Sequence, residues 1–191
     1  MSQRNRTRTA LLGFLTWGPM SGYDLRQLIE GSIANFWSEG FGRIYPMLAQ
    51  LAEEGLATRS ETHSEGGRPR HSYAITDAGR AVLQNWLREP TVPRPVRNER
   101  LLKLFFSART EVAVPRDQIT SFREELLGKR EHYGEIRARL ESQQDAPLDR
   151  HFWLMTLRNG ELQVEAELQW CDEVLTELDA MERTRNLEDR P

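Results

Sequence analysis

Residues 36–55 carry the pattern that most restricts how this chain can fold. Large apolar side chains recur there three or four positions apart, which places them on one face of an α-helix. The opposite face is then available to contact another molecule. The apolar set is Phe41, Ile44, Leu48 and Leu51, and the outward set is Glu39, Arg43, Pro46 and Gln50.

The ends of this helix are also encoded locally. Ser38 is predicted to cap its start, and Gly55 to end it in the left-handed conformation. Pro46 lacks an N–H, so the regular helix is expected to begin only near residue 41 or 42. Taken alone, the stretch is equally compatible with an ordinary amphipathic helix, and its neighbours decide between the two interpretations.

Two further helices are predicted before this one. The first covers residues 7–17 and is stopped by Gly18 and Pro19, and the second covers residues 22–30 with Ser21 as its cap. Three short helices, the last with an outward face, form a helix-turn-helix unit. The arginines that precede the unit are interpreted either as a phosphate-contacting arm or as a solvated terminus: Arg4, Arg6 and Arg8.

Beyond Gly55 the apolar period changes from that of a helix to that of strands. Residues 56–62 and 70–76 predict two strands joined by a glycine-containing tip, and a further helix follows at 78–87. Arg68 and Arg70 flank a proline in that tip. A narrow protrusion that carries guanidinium groups suits the negative potential of a DNA minor groove. The hairpin is therefore predicted to be the wing of a winged helix, with a solvated loop as the alternative.

Four groups of residues follow one another in unbroken order between residues 9 and 88. Together they resemble the PadR family of winged-helix transcriptional regulators. The resemblance implies a DNA-binding dimer and, in some members, a small aromatic or drug-like effector. It also makes Tyr45 part of the family motif, with its hydroxyl expected near the DNA-facing edge. The groups are Ser21-Gly22-Tyr23-Asp24-Leu25; Ile44-Tyr45-Pro46 with Leu48; Glu53-Glu54-Gly55-Leu56; and Gly67-Arg68-Pro69-Arg70 with Tyr73, Ile75, Thr76 and Gly79.

Two long helices with seven-residue apolar repeats are predicted in the C-terminal half, which resembles the long-tailed branch of the same family. The first repeat consists of Ile119, Phe122, Leu126, Lys129, Tyr133, Ile136 and Leu140. The second consists of Leu154, Leu157, Glu161, Val164, Leu168, Cys171, Leu175 and Leu178. Such repeats pack lengthwise on a partner. The partner is predicted to be a second copy of the chain, and an intramolecular hairpin is the alternative. The predicted dimer contacts are Leu126, Tyr133, Leu140, Leu157, Val164, Leu168 and Leu175.

Composition excludes several other classes of protein. The chain has 191 residues with a formal net charge of −3, and 38% of them are hydrophobic. No run approaches the roughly 20 apolar residues that span a bilayer, so a cytoplasmic protein without membrane contact is expected. Cys171, the single cysteine, is expected in the core. The four histidines are scattered without the spacing of a metal site or a catalytic triad, which predicts a protein that is not an enzyme and binds no cofactor or metal.

The predicted fold is mainly α with a small β-wing. A winged helix-turn-helix domain is expected at residues 1–89, a proline-containing linker at 90–96, an all-helical dimerisation domain at 97–184 and a disordered tail at 185–191. The predicted function is transcriptional regulation, as a repressor that binds a palindromic operator as a homodimer, with a small aromatic effector as an optional partner. The alternative is a protein-binding adaptor. The predicted DNA contacts are Ser38, Glu39, Arg43, Tyr45, Gln50, Arg68 and Arg70.

Overall fold

The computed structural model describes residues 3–34, 36–37, 43–62, 70–92, 97–142 and 147–188, and of residues 3–5, 62, 70, 147 and 186–188 the backbone alone. The chain divides into two compact units, Met1–Pro93 and Arg94–Pro191. The first unit is helical with a small antiparallel sheet, and the described elements of the second unit are all helices. The predicted fold class is therefore confirmed.

The first unit contains four α-helices and three strands in its described part. They are α1 (Gln3–Phe14), a 3-10 turn (Leu15–Trp17), β1 (Met20–Ser21), α2 (Gly22–Glu30), α3 (Ile44–Glu53), β2 (Ala57–Thr62), β3 (Arg70–Ile75) and α4 (Asp77–Arg88). One apolar core joins them, and its fully enclosed side chains are Leu11, Leu12, Leu15, Leu25, Ile44, Leu48 and Leu51. Because the three helices of the predicted helix-turn-helix share this core, their mutual positions are fixed by packing.

Helix α2 begins where the sequence predicts. The Ser21 hydroxyl accepts a hydrogen bond from the Asp24 N–H at 3.2 Å, and the Asp24 carboxylate accepts one from the Ser21 N–H at 3.0 Å. This reciprocal pair satisfies two backbone donors that would otherwise lack helical partners. The cap sets the direction in which α2 leaves the sheet.

Helix α3 is described from Ile44 onward, with Arg43 at its N-cap (φ −113°, ψ 12°). The expected start near residue 41 or 42 and the predicted cap Ser38 lie outside the described residues and stay predictions. Pro46 is the third helical residue, where its missing N–H costs nothing because first-turn donors have no intrahelical partner. At the other end, Gly55 has φ 72°, which confirms the left-handed stop.

The three strands form an antiparallel sheet in the order β1-β3-β2. Strands β2 and β3 pair from Ala57 with Ile75 to Thr62 with Arg70, which is the predicted hairpin. The sequence did not predict β1, a strand of two residues in which Met20 pairs with Tyr73. It anchors the start of α2 to the edge of the hairpin.

The second unit is built around two long helices. It contains α5 (Glu99–Phe105), a 3-10 turn (Ser107–Arg109), α6 (Ala113–Ser142) and α7 (Pro147–Glu188). Helices α6 and α7 run antiparallel, since Arg116 near the start of α6 pairs with Asp179 near the end of α7 at 2.9 Å. Toward the other end of α6, Arg137 pairs with Glu161. The guanidinium of Arg100 lies 3.0 Å from the ring centre of Phe122, which ties α5 to α6.

The two predicted apolar repeats face each other within one chain, as in the intramolecular hairpin named as the alternative, and the direct dimer contacts assigned to Leu140 and Leu175 stay predictions. Five of the seven predicted residues are buried between α6 and α7, and Leu140 and Leu175 pack half-buried against the same core. A side chain enclosed by its own chain has no area left for a second copy. The five buried residues are Leu126, Tyr133, Leu157, Val164 and Leu168.

Two polar features are enclosed by this helix pair. Glu161 accepts two hydrogen bonds from Arg137, both 2.7 Å long, and one from Arg158 at 3.3 Å. These donors, above all Arg137, lower the pKa of the Glu161 carboxyl. Cys171 is completely buried, as expected, and desolvation raises the pKa of its thiol.

Helix α7 extends to Glu188 at the C-terminal end of the described chain, and the disorder expected over residues 185–191 stays a prediction. Among the described helices, each falls short of the combination of length and apolarity that a membrane span requires.

The close crossing of α6 and α7 predicts opposite effects for two glycine substitutions. A Cβ at Gly160 would lie 2.9 Å from Cε2 of the buried Tyr133 ring, whereas a Cβ at Gly128 would have no atom within 4 Å. We expect Gly128→Ala to stabilise the unit by about 1 kcal/mol through helix propensity. Gly160→Ala is expected to destabilise it by about 1 to 3 kcal/mol through overpacking. Thermal unfolding followed by circular dichroism measures both, and equal shifts would contradict the described crossing.

The ion pair between Arg137 and Glu161 predicts an acid-sensitive contribution to stability. Because folding lowers the pKa of Glu161, the pair stabilises the fold above the ordinary glutamate value of about 4.3. That stabilisation is lost as the pH falls through the lowered value. Glu161→Gln should therefore lower the melting temperature at pH 7 and shrink its decrease between pH 5 and pH 2. Glu167→Gln, an exposed change on the same helix, is the control and should leave the acid limb unchanged.

Candidate nucleic-acid interface

Helix α3 presents one polar face to the outside of the first unit. Its inward side chains are buried, while Arg43, Tyr45 and Pro46 are exposed and Gln50 is half-buried. Arg43 stands at the N-terminal end of the helix and Gln50 at the C-terminal end. Donors at both ends of a short exposed helix are the arrangement with which a recognition helix reads base edges and phosphates. Ser38 and Glu39 lie outside the described residues, and their roles stay predictions.

Tyr45 packs against the start of α2. A Cβ at Gly22 would lie 2.5 Å from a ring carbon of Tyr45, so only glycine leaves room for the ring there. The residue as a whole remains 57% exposed. The ring thus joins α3 to α2 and leaves much of the side chain at the surface. The sequence showed Gly22 only as part of a family motif, and this close approach gives its physical reason.

Gln50 is held by a network that reaches α1. Its amide donates to the Glu54 carboxylate at 2.8 Å, and Arg8 donates to both oxygens of the same carboxylate at 2.7 Å. Arg8 therefore belongs to a folded helix and to an ion pair, which contradicts its interpretation as part of an arm ahead of the domain. Nothing in the sequence could have joined residues 46 positions apart.

The strands of the wing bring three polar side chains together. Arg59 and Glu61 on β2 flank His71 on β3, with the Arg59 guanidinium in hydrogen-bond contact with His71 Nε2. Glu61 lies 3.8 Å from the other ring nitrogen. Arg70 opens β3, but its side chain, like all of Arg68, lies outside the described part of the chain. The arginines of the tip therefore stay predictions.

Two exposed apolar surfaces in the second unit were missed by the sequence analysis. Helix α5 buries none of its side chains, and Phe105 is 80% exposed. Helix α7 carries a second apolar row on the face opposite α6. Its seven-residue spacing was present in the sequence, but the longer repeat that faces α6 concealed it. The α5 surface comprises Leu101, Leu102, Phe105 and Phe106, and the α7 row comprises Leu148, Phe152, Met155 and Leu162.

Four aromatic side chains of the second unit, Tyr133, Phe152, Trp153 and Trp170, are candidates to line a pocket for an aromatic effector, with core packing as the alternative. Tyr133 is buried between α6 and α7, whereas Phe152 is exposed. Two surface grooves among the described residues, of about 620 and 470 Å³, are lined by other side chains. Packing accounts for Tyr133, and Trp170 packs half-buried against the same helix pair.

The fold and the exposed helix define a winged helix-turn-helix protein with a C-terminal helical unit. Residues 11–85 match the family model described as the transcriptional regulator PadR-like family, and residues 96–179 match the model described as the virulence activator alpha C-terminal region. A probable transcriptional regulator of Mycobacterium tuberculosis is 34% identical over 179 residues, covering 86% of this chain and 93% of the relative. The chain belongs to the PadR-like family of transcriptional regulators.

Other relatives agree with this assignment. The negative transcriptional regulator PadR of Bacillus subtilis is 28% identical over 175 residues, covering 89% of this chain and 96% of the relative. The crystal structure of Bacillus subtilis PadR in complex with operator DNA is similar with a TM-score of 0.79 and 25% identity, covering 90% of this chain and 98% of that one. The structure of the Vibrio cholerae virulence activator AphA is similar with a TM-score of 0.72 and 31% identity, covering 91% of this chain and 98% of that one.

Proposed function

We propose that this protein is a transcriptional regulator that binds a specific duplex DNA sequence through α3 and the wing. The observation that carries the proposal is the outward face of α3, held over a core shared with α1 and α2. The similarity to a relative solved with operator DNA supports it. Enzymatic function has no support among the relatives, which are named as regulators of transcription.

Arg43 and Tyr45 are proposed to make two different kinds of contact with DNA. Arg43, exposed at the start of α3, can donate two parallel hydrogen bonds to a guanine in the major groove. Tyr45, which is 57% exposed as a residue, can donate its hydroxyl to a phosphate oxygen. Few other donors lie on this face within the described residues, so DNA shape is expected to contribute to sequence preference.

We propose that the active form is a homodimer assembled through the α5 surface and the α7 row. Both surfaces belong to the second, helical unit and are exposed in the single chain. Apolar patches of this kind on a soluble protein mark an interaction site. A second copy is the occupant we favour, because a two-fold dimer matches a palindromic operator and gains affinity by linking two half-sites.

Repression is the regulatory mode we propose. A dimer that covers its operator excludes RNA polymerase by occupancy alone and needs no activating contact. The Bacillus subtilis relative is named a negative regulator, which supports repression. The Vibrio cholerae relative is named a virulence activator, so activation of transcription is the outcome that would contradict the proposal. Transcription in vitro from a promoter that contains the selected site distinguishes the two. The small aromatic effector stays a prediction.

The decisive experiment is selection from a random pool of duplexes. The full chain should enrich one sequence with two-fold symmetry, and its affinity should fall steeply with salt because phosphate contacts release counterions. An adaptor that binds protein would enrich no sequence. Absence of enrichment at low salt would therefore replace the proposed function by the adaptor.

Arg43 is expected to determine preference at one base position. Arg43→Ala should lower discrimination at that position by about 1 to 3 kcal/mol, because a bidentate contact to a base edge is lost. Binding to a scrambled duplex should change little. Arg80→Ala, an exposed change on α4, removes the same charge and is the control. Titrations with the selected and the scrambled duplex measure both, and equal loss on the two duplexes would make Arg43 a phosphate contact only.

The α7 row predicts a variant that folds but does not dimerise. Phe152 is 60% exposed, so a glutamate there should leave helix content and melting behaviour of the monomer intact. Phe152→Glu should convert the dimer to a monomer in sedimentation equilibrium, since a charge would be buried at the interface. Thr176→Glu, an exposed position on the same helix beyond the C-terminal end of the row, should stay dimeric. A dimeric Phe152→Glu protein would exclude this row from the interface.

A further inference from the structure

The C-terminal end of α3 is tied to α1 by an ion pair between Arg8 and Glu54. We propose that Arg8 and Glu54 are positioning residues for DNA recognition, which rests on the DNA-binding function proposed above. In this view the pair sets the angle of α3 and the place of Gln50, and neither residue contacts DNA. The sequence and the family comparisons give these two residues no such role.

The geometry of the pair is that of a rigid clamp. Arg8 approaches both carboxylate oxygens of Glu54, through two different guanidinium nitrogens, at 2.7 Å each. The Arg8 side chain is only 19% exposed and that of Glu54 35%. A two-pronged contact between partly buried groups fixes orientation as well as distance, which a single exposed ion pair does not.

The position of Glu54 indicates that its carboxylate serves the ion pair with Arg8 and not the stability of α3 itself. Glu54 occupies the C-cap of α3, and the last turn contains no basic residue. A negative charge at a helix C-terminus is opposed by the helix dipole. The cation that offsets this unfavourable position comes from α1, 46 positions away in the chain.

The same carboxylate holds an outward side chain of α3. Glu54 accepts the Gln50 amide at 2.8 Å through the oxygen that also accepts from Arg8. Gln50 is thereby restrained at the end of α3 opposite Arg43. With Tyr45 packed on Gly22 near the N-terminal end, α3 is fastened to α2 at one end and to α1 at the other. A tilt of α3 would move Arg43 and Gln50 in opposite directions relative to the DNA.

The test compares neutral substitutions that remove the same charge from neighbouring positions. Glu54→Gln breaks the clamp, and Glu53→Gln changes an exposed carboxylate on the last turn of α3 for which the described structure shows no bonded partner. We expect Glu54→Gln to lower affinity for the selected duplex about fivefold to tenfold relative to Glu53→Gln, within the coupling found in ion-pair networks. Affinity for a scrambled duplex should stay within about twofold of that control.

Arg8 supplies a second, independent arm of the test. Arg8→Gln should reproduce the loss of specific affinity, while Arg80→Gln, an exposed change on α4, should not. The double variant Arg8→Glu with Glu54→Arg restores opposite charges and should recover most of the specific affinity. If Arg8 instead contacted phosphate, Arg8→Gln would weaken both duplexes and lower the salt slope by about 0.9, and the charge swap would not restore binding. That result would overturn the proposal.

Hydrogen exchange of the DNA-free protein separates this inference from the proposed function. The amides of the last turn of α3 should exchange faster in Glu54→Gln than in Glu53→Gln, because the tie no longer opposes local opening. Equal exchange and equal DNA affinity in the two variants would overturn the positioning role. If the unaltered chain prefers no duplex, the proposed function fails, while the exchange data still decide whether the clamp restrains α3.

Discussion

Burial of one side of α3 is the constraint on which the candidate interface depends. Ile44, Leu48 and Leu51 are completely enclosed, and each such side chain contributes about 1.5 to 3 kcal/mol relative to exposure. A helix of ten residues is too short to persist alone, so α3 takes both its helicity and its orientation from the core. The position of the polar face of α3 is therefore set by buried residues that do not themselves contact another molecule.

The first unit could be predicted well because its determinants are local. The Ser21 cap, the left-handed Gly55 and the two-residue period of the hairpin each act within a few positions. The pairing of Arg8 with Glu54 depends on tertiary packing, which no local pattern encodes.

The second unit shows a different limit of sequence reasoning. A seven-residue apolar repeat establishes that a helix needs a partner along its length, but it does not say which chain provides that partner. Here α6 and α7 provide it for each other, with Tyr133 seated over Gly160. Once this pair is formed, the α5 surface and the α7 row are among the apolar residues left exposed, and the sequence did not reveal either group as a surface.

The buried Cys171 can report how often helices α6 and α7 separate from each other. A thiol reacts as the thiolate, and this thiol is shielded from reagents and has a raised pKa in the closed pair. As the single cysteine of the chain, it gives one labelling site without background. The rate at which a small alkylating reagent modifies Cys171 therefore measures how often α6 and α7 separate. A ligand or a partner chain that holds the two helices together would lower that rate.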